Sequence, residues 1–458
     1  MNDFNRRLIR IFILTAIYFV GGKFGLTLAF VHPNATAVSP SLGIGLGALL
    51  IFGYDVWPGI LLGAFLVNLT TAGTVTTSIA IATGNTLEAL AGAFLVFRFA
   101  GGRNAMKRSP DIFKFAILGG MVSSTIAATI GVWSLVWSGS AFQHDALHIW
   151  LTWWLGDAVS VIVVAPLLLL WNINPFGRWR IAAVLEAAVL FVCLIGVGMI
   201  VFGGALSSGP GNYPLEFLCV PFLIWAASRF GQREAALATL VLAGPAIWGT
   251  LHGLGPFAQL PKNESLLLLQ AFLGVGAVMT MGLASEVADR RRAERDARIL
   301  AGMDRLTGLG NYRKLIDTLE MEIRRAERTT RTFVFVLMDL DGLKQINDIY
   351  GHPVGNRALC RLANILQIHC RNIDTPARYG GDEFAVILPE CELGFARTIT
   401  DRLSSRLAND GELPELSVSI GFAVWPHNGR TAEELIREAD RALYEMKHLH
   451  HSNQTLPM

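Results

Sequence analysis

The uneven distribution of charge along the chain constrains its fold more than any other feature. Residues 1–287 hold 25 of the Asp, Glu, Lys and Arg residues, whereas the shorter segment 288–458 holds the other 49. Apolar residues make up 52% of the whole chain. A long segment with so little charge is typical of a membrane domain, and a charged remainder is typical of a soluble one. We therefore expect a polytopic α-helical membrane domain followed by a soluble domain.

Ten apolar stretches lie within the first segment. They cover residues 8–31, 39–53, 56–72, 76–99, 112–137, 147–171, 181–203, 214–230, 233–252 and 264–286. A membrane-crossing helix needs ~20 residues, so the second and third stretches are short. We predict about ten spans, with eight as the alternative in which the short pair is re-entrant or interfacial.

Basic residues next to the spans predict the orientation of the membrane domain. Arg6, Arg7 and Arg10 precede the first stretch, which favours a cytoplasmic N-terminus. With ten spans, the basic clusters at 98–108, 178–180 and 229–233 fall on that same side. Residues 290–298, which hold five arginines, do so as well, and this places the C-terminal domain in the cytoplasm.

The second segment predicts a helical linker over residues 288–303 and a mixed domain over 304–458. Helices are predicted near 311–328, 354–370, 393–409 and 431–448, strands at 333–338 and 415–424, and a hairpin near 376–388. Strands covered by helices make an α/β or α+β sheet domain.

Carboxylates follow two of these strands. The apolar run 333–338 ends in Asp339 and Asp341, and the hairpin tip Gly380-Gly381 is followed by Asp382 and Glu383. Carboxylates at the exit of a buried strand are common ligands of hard cations, and a Gly-Gly turn allows close approach of a phosphate. The alternative for the hairpin is an ordinary surface turn.

Several motifs, in order and spacing, resemble the GGDEF domain of diguanylate cyclases over residues 304–448. They are Asp304–Leu309, Asp339–Asp341, Lys344, Asn347-Asp348, Gly351–Asn356 and Gly380–Phe384. The resemblance implies a cyclase-type palm sheet and the conversion of two GTP into cyclic di-GMP and two pyrophosphates. Residues 8–287, with Trp57-Pro58-Gly59 and Trp153-Trp154, resemble a MASE-type membrane sensor domain of a bacterial inner membrane protein.

The GGDEF resemblance also implies roles for single residues. Asp339, Asp382 and the Leu340 carbonyl would hold two Mg²⁺ ions, with Mn²⁺ as a possible substitute, and the catalytic residues would be Asp382, Lys344 and Glu383. The GTP-binding residues would be Asn347, His352, Asn356 and Lys447. Arg371 and Asp374 would form a product-inhibition site. For Lys447, capping of a helix C-terminus is the alternative. Asn356, Tyr312 and His451 depart from the family pattern.

One such domain would hold one GTP, so synthesis implies a homodimer through the GGDEF domains. The alternatives are a catalytically silent nucleotide receptor and a transporter with a regulatory tail. The net charge of +2 gives no reason to expect a nucleic acid partner, and the five cysteines lack a metal-binding spacing. Polar residues in the spans either join helices or line a sensing pocket: Lys23, Asn68, Asn85, Glu88, Asp157, Glu186 and Glu216.

Overall fold

The computed structural model describes residues 3–27, 29–32, 35–36, 39–71, 74–173, 181–204, 215–258 and 260–454. The chain divides into two compact units, Met1–Arg292 and Ala293–Met458. The first is almost entirely helical and the second contains a sheet covered by helices. Both architectures agree with the fold class predicted from the sequence.

Seven helices of the first unit are long and apolar enough to cross a membrane, among the described residues. They are Asp3–Thr27, Val75–Phe99, Ser109–Trp137, Gln143–Asn172, Ile181–Phe202, Gln232–Leu251 and Asn263–Ala301. The first ends at Thr27, four residues before the predicted end, because Ala29–His32 forms a short strand paired with Ala35–Thr36.

The second and third apolar stretches form shorter helices, Pro40–Phe52 and Trp57–Leu69, of 13 residues each. Such a helix rises about 20 Å, less than the ~30 Å of a bilayer core. The stretch near 214–230 forms a short 3₁₀ turn, Leu215–Cys219, and the helix Val220–Arg229. The number of spans, ten or eight, stays a prediction.

Small residues and one irregular helix shape the packing of the first unit. A Cβ on Gly63 would lie 2.9 Å from Cβ of Tyr18, so the helices carrying these residues approach closely through the glycine. The helix Ser109–Trp137 contains a π-helical segment, Phe115–Val122, between two α-helical parts. Pro166 lies inside the helix Ala146–Ile173.

The last helix of the first unit continues into the predicted linker. It runs from Lys262 to Ala301, 40 residues without a break. Ala293, Ala297 and Leu300, which are spaced i, i+4 and i+7, are exposed on it. Most of the predicted linker, 288–303, is therefore the C-terminal part of a longer helix and not a separate helix.

The second unit is built on a four-stranded antiparallel sheet. In spatial order, its strands are Thr375–Gly380, Glu383–Leu388, Phe333–Leu340 and Val418–Trp425. The strand Phe333–Leu340, here called the central strand, is buried along its whole length. It extends two residues beyond its predicted end because Asp339 and Leu340 still pair with Ser419 and Val418.

Helices cover both faces of this sheet. Val334, Val336 and Met338 of the central strand face one core, with the helices His352–His369 and Leu393–Ala408. Phe333, Phe335 and Leu337 face the other core, with Tyr312–Thr329 and Ala432–Gln454. Successive side chains of a strand point to opposite faces, so the seven apolar residues of this strand serve two cores and Asp339 belongs to neither.

The other predicted elements lie within a few residues of the observed ones, with one omission. The helix Leu343–Tyr350, which follows the central strand, was not predicted. It has only eight residues and begins after Gly342 in the left-handed conformation, at φ +69°. This short helix carries two of the predicted site residues.

Candidate active site

Three acidic residues meet at one end of the sheet. Asp339 is paired across the strands with Glu383 on one side and Ser419 on the other. Gly381 takes a left-handed conformation, φ +52°, in the turn between the hairpin strands. The Leu340 N–H donates to the Asp382 carbonyl oxygen at 3.0 Å, which fixes the turn against the central strand. The structure therefore brings Asp339, Asp382 and Glu383 together, as predicted.

The carboxylates raise one another's affinity for protons. Burial raises the pKa of Asp339, and the charges of Asp382 and Asp341 add to this effect, while Lys447 opposes it. Burial also raises the pKa of Glu383, with further contributions from Asp339, Asp382 and Asp440. Crowded carboxylates of this kind favour a bound cation, because a cation relieves both the repulsion and the loss of hydration.

Lys447 is the counter-ion of Asp339 in this structure. Its Nζ lies 2.8 Å from Asp339 Oδ2. The final helix runs on to Gln454, so Lys447 is not in its last turn, and the helix-capping alternative is wrong. His451, noted above as a departure, lies outside the residues whose side chains are described.

Asp341, the second carboxylate at the strand exit, is hydrogen-bonded through both of its oxygens to serine hydroxyls. Its Oδ2 and Oδ1 accept hydrogen bonds from the Ser417 and Ser419 hydroxyls, both at 2.7 Å. Its N–H donates to the Ser417 carbonyl. Asp341 therefore joins the end of the central strand to the neighbouring strand.

The donors at the sheet end suit a hard divalent cation in chemical type. Two carboxylates and a main-chain carbonyl are oxygen ligands of the class that Mg²⁺ and Mn²⁺ prefer. Among the described residues, no three His, Cys, Asp or Glu side chains form a ready-made metal site. The predicted ligand set needs only Asp339, Asp382 and the Leu340 carbonyl, and the raised pKa values of Asp339 and Glu383 agree with a cation being favoured there.

Lys344, predicted as catalytic, and three of the four predicted GTP-binding residues lie on two consecutive helices. Lys344 is exposed in the first turn of Leu343–Tyr350, where the positive end of the helix dipole favours phosphate. Asn347 lies on the same helix, against Gly355 of the next helix, His352–His369. His352 and Asn356 are both exposed and four residues apart on that second helix, so they share a face. Asn347 and Asn356 are thus brought close through Gly355.

Arg378 is a structural component of the site that the sequence reasoning did not single out. Its Nε and Nη2 donate to the Gly381 carbonyl oxygen at 3.0 and 2.6 Å. Its Nη1 donates to Asp304 Oδ1 at 3.3 Å. Burial would raise the pKa of Asp304, but hydrogen bonds from Thr307 and the charge of Arg378 lower it. Arg378 therefore joins the turn before Asp382 to the loop at the start of the domain.

The two residues of the predicted product site are in contact, although through the backbone. The Arg371 N–H donates to Asp374 Oδ2 at 2.7 Å. The Arg371 guanidinium lies 4.5 Å from the centre of the Phe395 ring, a contact that the sequence reasoning missed. Burial raises the pKa of Asp374. Arg371 is exposed, so its guanidinium has an open side.

The fold and this site define a helical membrane protein with a cyclase-type α/β domain. Residues 11–291 match the family model MASE1, and residues 301–453 match the model described as "Diguanylate cyclase, GGDEF domain". The chain belongs to the MASE1 family and carries a GGDEF domain after the membrane unit.

Two curated relatives match parts of the chain. The chain is 33% identical over 300 residues to the bifunctional diguanylate cyclase/cyclic di-GMP phosphodiesterase MucR of Pseudomonas aeruginosa, covering 64% of this chain and 40% of MucR. It is 36% identical over 155 residues to the response regulator PleD of Caulobacter vibrioides, covering 32% of this chain and 34% of PleD. The chain thus spans two fifths or less of these relatives.

Among solved structures, a sensory box/GGDEF family protein from Caulobacter crescentus is similar to part of this chain. The sequence identity is 36%, and the TM-score is 0.31. The match covers 32% of this chain and 98% of the other.

Proposed function

We propose that this protein is a membrane-anchored diguanylate cyclase, which converts two GTP into cyclic di-GMP and two pyrophosphates. The observation that carries the proposal is the meeting of Asp339, Asp382 and Glu383 at the end of adjacent strands, beside Lys447. The GGDEF family match and the activity in MucR's name support it. The proposed domains are 1–287 for sensing, 288–303 as linker and 304–458 for catalysis.

Each residue has a defined task in this proposal. Asp382 accepts the proton of the attacking ribose hydroxyl, and Lys344 and Lys447 bind phosphate oxygens. Asn347 and Asn356 bind the guanine edge, where an amide both donates and accepts hydrogen bonds. When bound at Asp339, Asp382 and the Leu340 carbonyl, two Mg²⁺ or Mn²⁺ ions supply positive charge for the phosphates.

The same reasoning extends to assembly, location and control. One site holds one GTP, so the active form is a homodimer through its GGDEF domains. The chain lies in a bacterial inner membrane with the GGDEF domain in the cytoplasm, where GTP is present. Cyclic di-GMP is both product and inhibitor, bound through Arg371 and Asp374, and the membrane unit regulates output.

The test is synthesis by the full chain, purified in detergent and incubated with GTP and Mg²⁺. We expect cyclic di-GMP from the unaltered protein and none from Asp382→Ala, at equal yield and thermal midpoint. Asp401→Ala, which removes an exposed carboxylate from the helix Leu393–Ala408, is the matched control and should keep full activity.

The alternative, a catalytically silent receptor, predicts a different result. GTP would then bind to the unaltered chain without turnover at any protein concentration. Full turnover by Asp382→Ala would instead contradict the assigned role of that carboxylate.

A further inference from the structure

Most polar side chains within the first unit have partners. Lys23 Nζ donates to the Thr70 carbonyl at 2.8 Å, and the Asn68 amide donates to the Ala64 carbonyl at 2.8 Å. Glu186 accepts from Arg229 Nε at 2.9 Å. These residues therefore fit the interpretation that polar groups in spans join helices.

Glu88, Asp157 and Asn85 are among the residues of this unit that differ from this pattern. Both carboxylate oxygens of Glu88, Oδ2 of Asp157 and Oδ1 of Asn85 are buried, with no hydrogen-bond partner among the described residues. Glu88 is 1% exposed and Asp157 is 3% exposed. A charge at such a position costs several kcal/mol unless an opposite charge or hydrogen bonds compensate it. The buried oxygen atoms therefore need a partner that the described part of the chain does not provide.

Asp157 and Asn85 line the same cavity. Its volume is about 40 Å³. Other oxygen-bearing residues around it are Tyr18, Ser39, Ser41 and Asn68, and its described lining contains no basic residue. One water needs roughly 10–15 Å³ of such space, so the cavity can hold an ion together with one or two waters.

The groups around the cavity are arranged by three helices. Tyr18 comes from Asp3–Thr27, Asn85 from Val75–Phe99 and Asp157 from Ala146–Ile173. The Asn85 Nδ2 donates to the Tyr18 hydroxyl at 3.4 Å, which leaves the Asn85 carbonyl oxygen to be satisfied. Glu88 lies one turn further along the helix of Asn85, beside a separate small void lined by Gly119 and Ser123.

We propose that this cavity binds a small monovalent cation of about the size of Na⁺. Its ligands are the Asp157 carboxylate, the Asn85 carbonyl oxygen and the Tyr18 hydroxyl. One carboxylate facing the cavity balances a single positive charge, and the neutral oxygens complete an oxygen-only shell. A divalent ion would leave positive charge uncompensated, because Asp157 is the one carboxylate in the described lining of the cavity.

The experiment uses the full chain in detergent, without GTP, so it is independent of cyclase activity. The thermal midpoint is measured by tryptophan fluorescence in NaCl and in choline chloride at the same ionic strength and pH, and bound ²²Na⁺ is counted after gel filtration. At ten times the dissociation constant, bound Na⁺ should raise the midpoint by about 2–4 °C. Choline, which is too large for the cavity, should not.

Variants then assign the site. Asp157→Asn should abolish both Na⁺ retention and the Na⁺-dependent rise, and Tyr18→Phe, which keeps the ring and removes only the hydroxyl, should weaken Na⁺ binding about tenfold. Asp145→Asn, at an exposed position in the same unit, is the matched control and should behave like the unaltered protein.

Three outcomes would overturn the proposal. The first is an identical thermal midpoint in NaCl and in choline chloride, which would show that Na⁺ does not bind to the folded protein. The second is ²²Na⁺ retention that survives in both Asp157→Asn and Tyr18→Phe. The third, which needs no variant that folds poorly, is absence of ²²Na⁺ retention by the unaltered chain.

Discussion

The Lys447 ammonium lies 2.8 Å from the carboxylate of Asp339. Asp339 is itself paired with Glu383 across the sheet. A lysine that neutralises a carboxylate of a candidate metal site competes with the cation for that carboxylate. Because the same lysine can contact phosphate, its displacement by metal would leave it next to the incoming nucleotide. This pair therefore relates metal binding to substrate binding.

The first prediction follows from the effect of Lys447 on Asp339. Lys447 lowers the pKa of Asp339 against the larger effect of burial, so Lys447→Met should raise that pKa further. Protons then compete with Mg²⁺ at higher pH, and the acid limb of the pH–rate profile should move to higher pH. Lys447→Arg keeps the charge and should keep the limb of the unaltered enzyme. Coincident limbs for the Met variant and the unaltered enzyme would contradict the prediction.

The second prediction concerns the stability of the sheet end without metal. Burial and the charges of Asp339 and Asp382 raise the pKa of Glu383, so the folded state loses stability as the pH rises through that value. Glu383→Gln removes this loss of stability and should stabilise the EDTA-treated protein at pH 7 by about 0.5 kcal/mol, a small value because the side chain is only partly buried and water screens its charge.

The stability difference should vanish at pH values below the ordinary glutamate pKa of about 4.3. The difference in stability between the two proteins can be measured in the full chain by hydrogen exchange of the backbone amides of Phe333–Leu340. Equal protection of the amides in the two proteins at pH 7 would show that the crowding of the carboxylates does not lower the stability of the folded state.

The third prediction concerns Arg378, whose side chain is 17% exposed. Arg378→Ala removes two hydrogen bonds to the Gly381 carbonyl and the ion pair with Asp304, so the turn before Asp382 should lose its fixed position. We expect kcat to fall about tenfold or more with a small change in KM for GTP. Arg397→Ala, at an exposed helix position, is the control. A change confined to KM would mean that Arg378 acts on nucleotide binding instead.

The fourth prediction tests the closeness of the two nucleotide-binding helices. A Cβ on Gly355 would overlap the Asn347 side-chain oxygen and lie 2.9 Å from its Cγ. Gly355→Ala should displace Asn347 and raise KM for GTP about tenfold, with a loss of 1–3 kcal/mol in stability. Gly394→Ala is a matched control, because nothing lies within 4 Å of its added Cβ. An unchanged KM in Gly355→Ala would remove Asn347 from the guanine site.

The fifth prediction concerns product inhibition. Arg371→Ala should let synthesis continue at cyclic di-GMP concentrations that stop the unaltered enzyme, with little change in initial rate. Phe395→Leu removes the ring beneath the guanidinium and should weaken inhibition by a smaller factor, about threefold to tenfold. Inhibition curves measured with added cyclic di-GMP decide the matter. Identical curves for Arg371→Ala and the unaltered enzyme would exclude this site.

The division of the chain into two units and the sheet of the second unit could be predicted from local sequence patterns. Charge density separated the two units, and apolar runs of strand length gave the central strand. The predicted end of that strand was less accurate, because Asp339 and Leu340 are kept in the sheet by pairing with Ser419 and Val418, which lie about eighty residues away in the chain. Such long-range pairing leaves no trace in the local pattern.

The sequence motifs pointed to the acidic residues at the sheet end, but not to the residues that hold the neighbouring turn and side chains in place. The family motif contained Asp339, Asp382 and Glu383, and the structure brings them together. Arg378 supports the turn through the Gly381 carbonyl, a backbone group that has no sequence signature. Phe395 meets Arg371 from a helix that begins over twenty residues later, so only the packed fold could reveal it.

The π-helical segment Phe115–Val122 changes which side chains the helix Ser109–Trp137 directs towards its neighbours. A π-helical turn holds about one more residue than an α-helical turn, so it is equivalent to an insertion that rotates the rest of the helix by about 100°. Gly119 within the segment and Ser123 after it form part of the wall beside Glu88. Deleting one residue between them would restore regular winding and turn a different face of the helix towards that carboxylate.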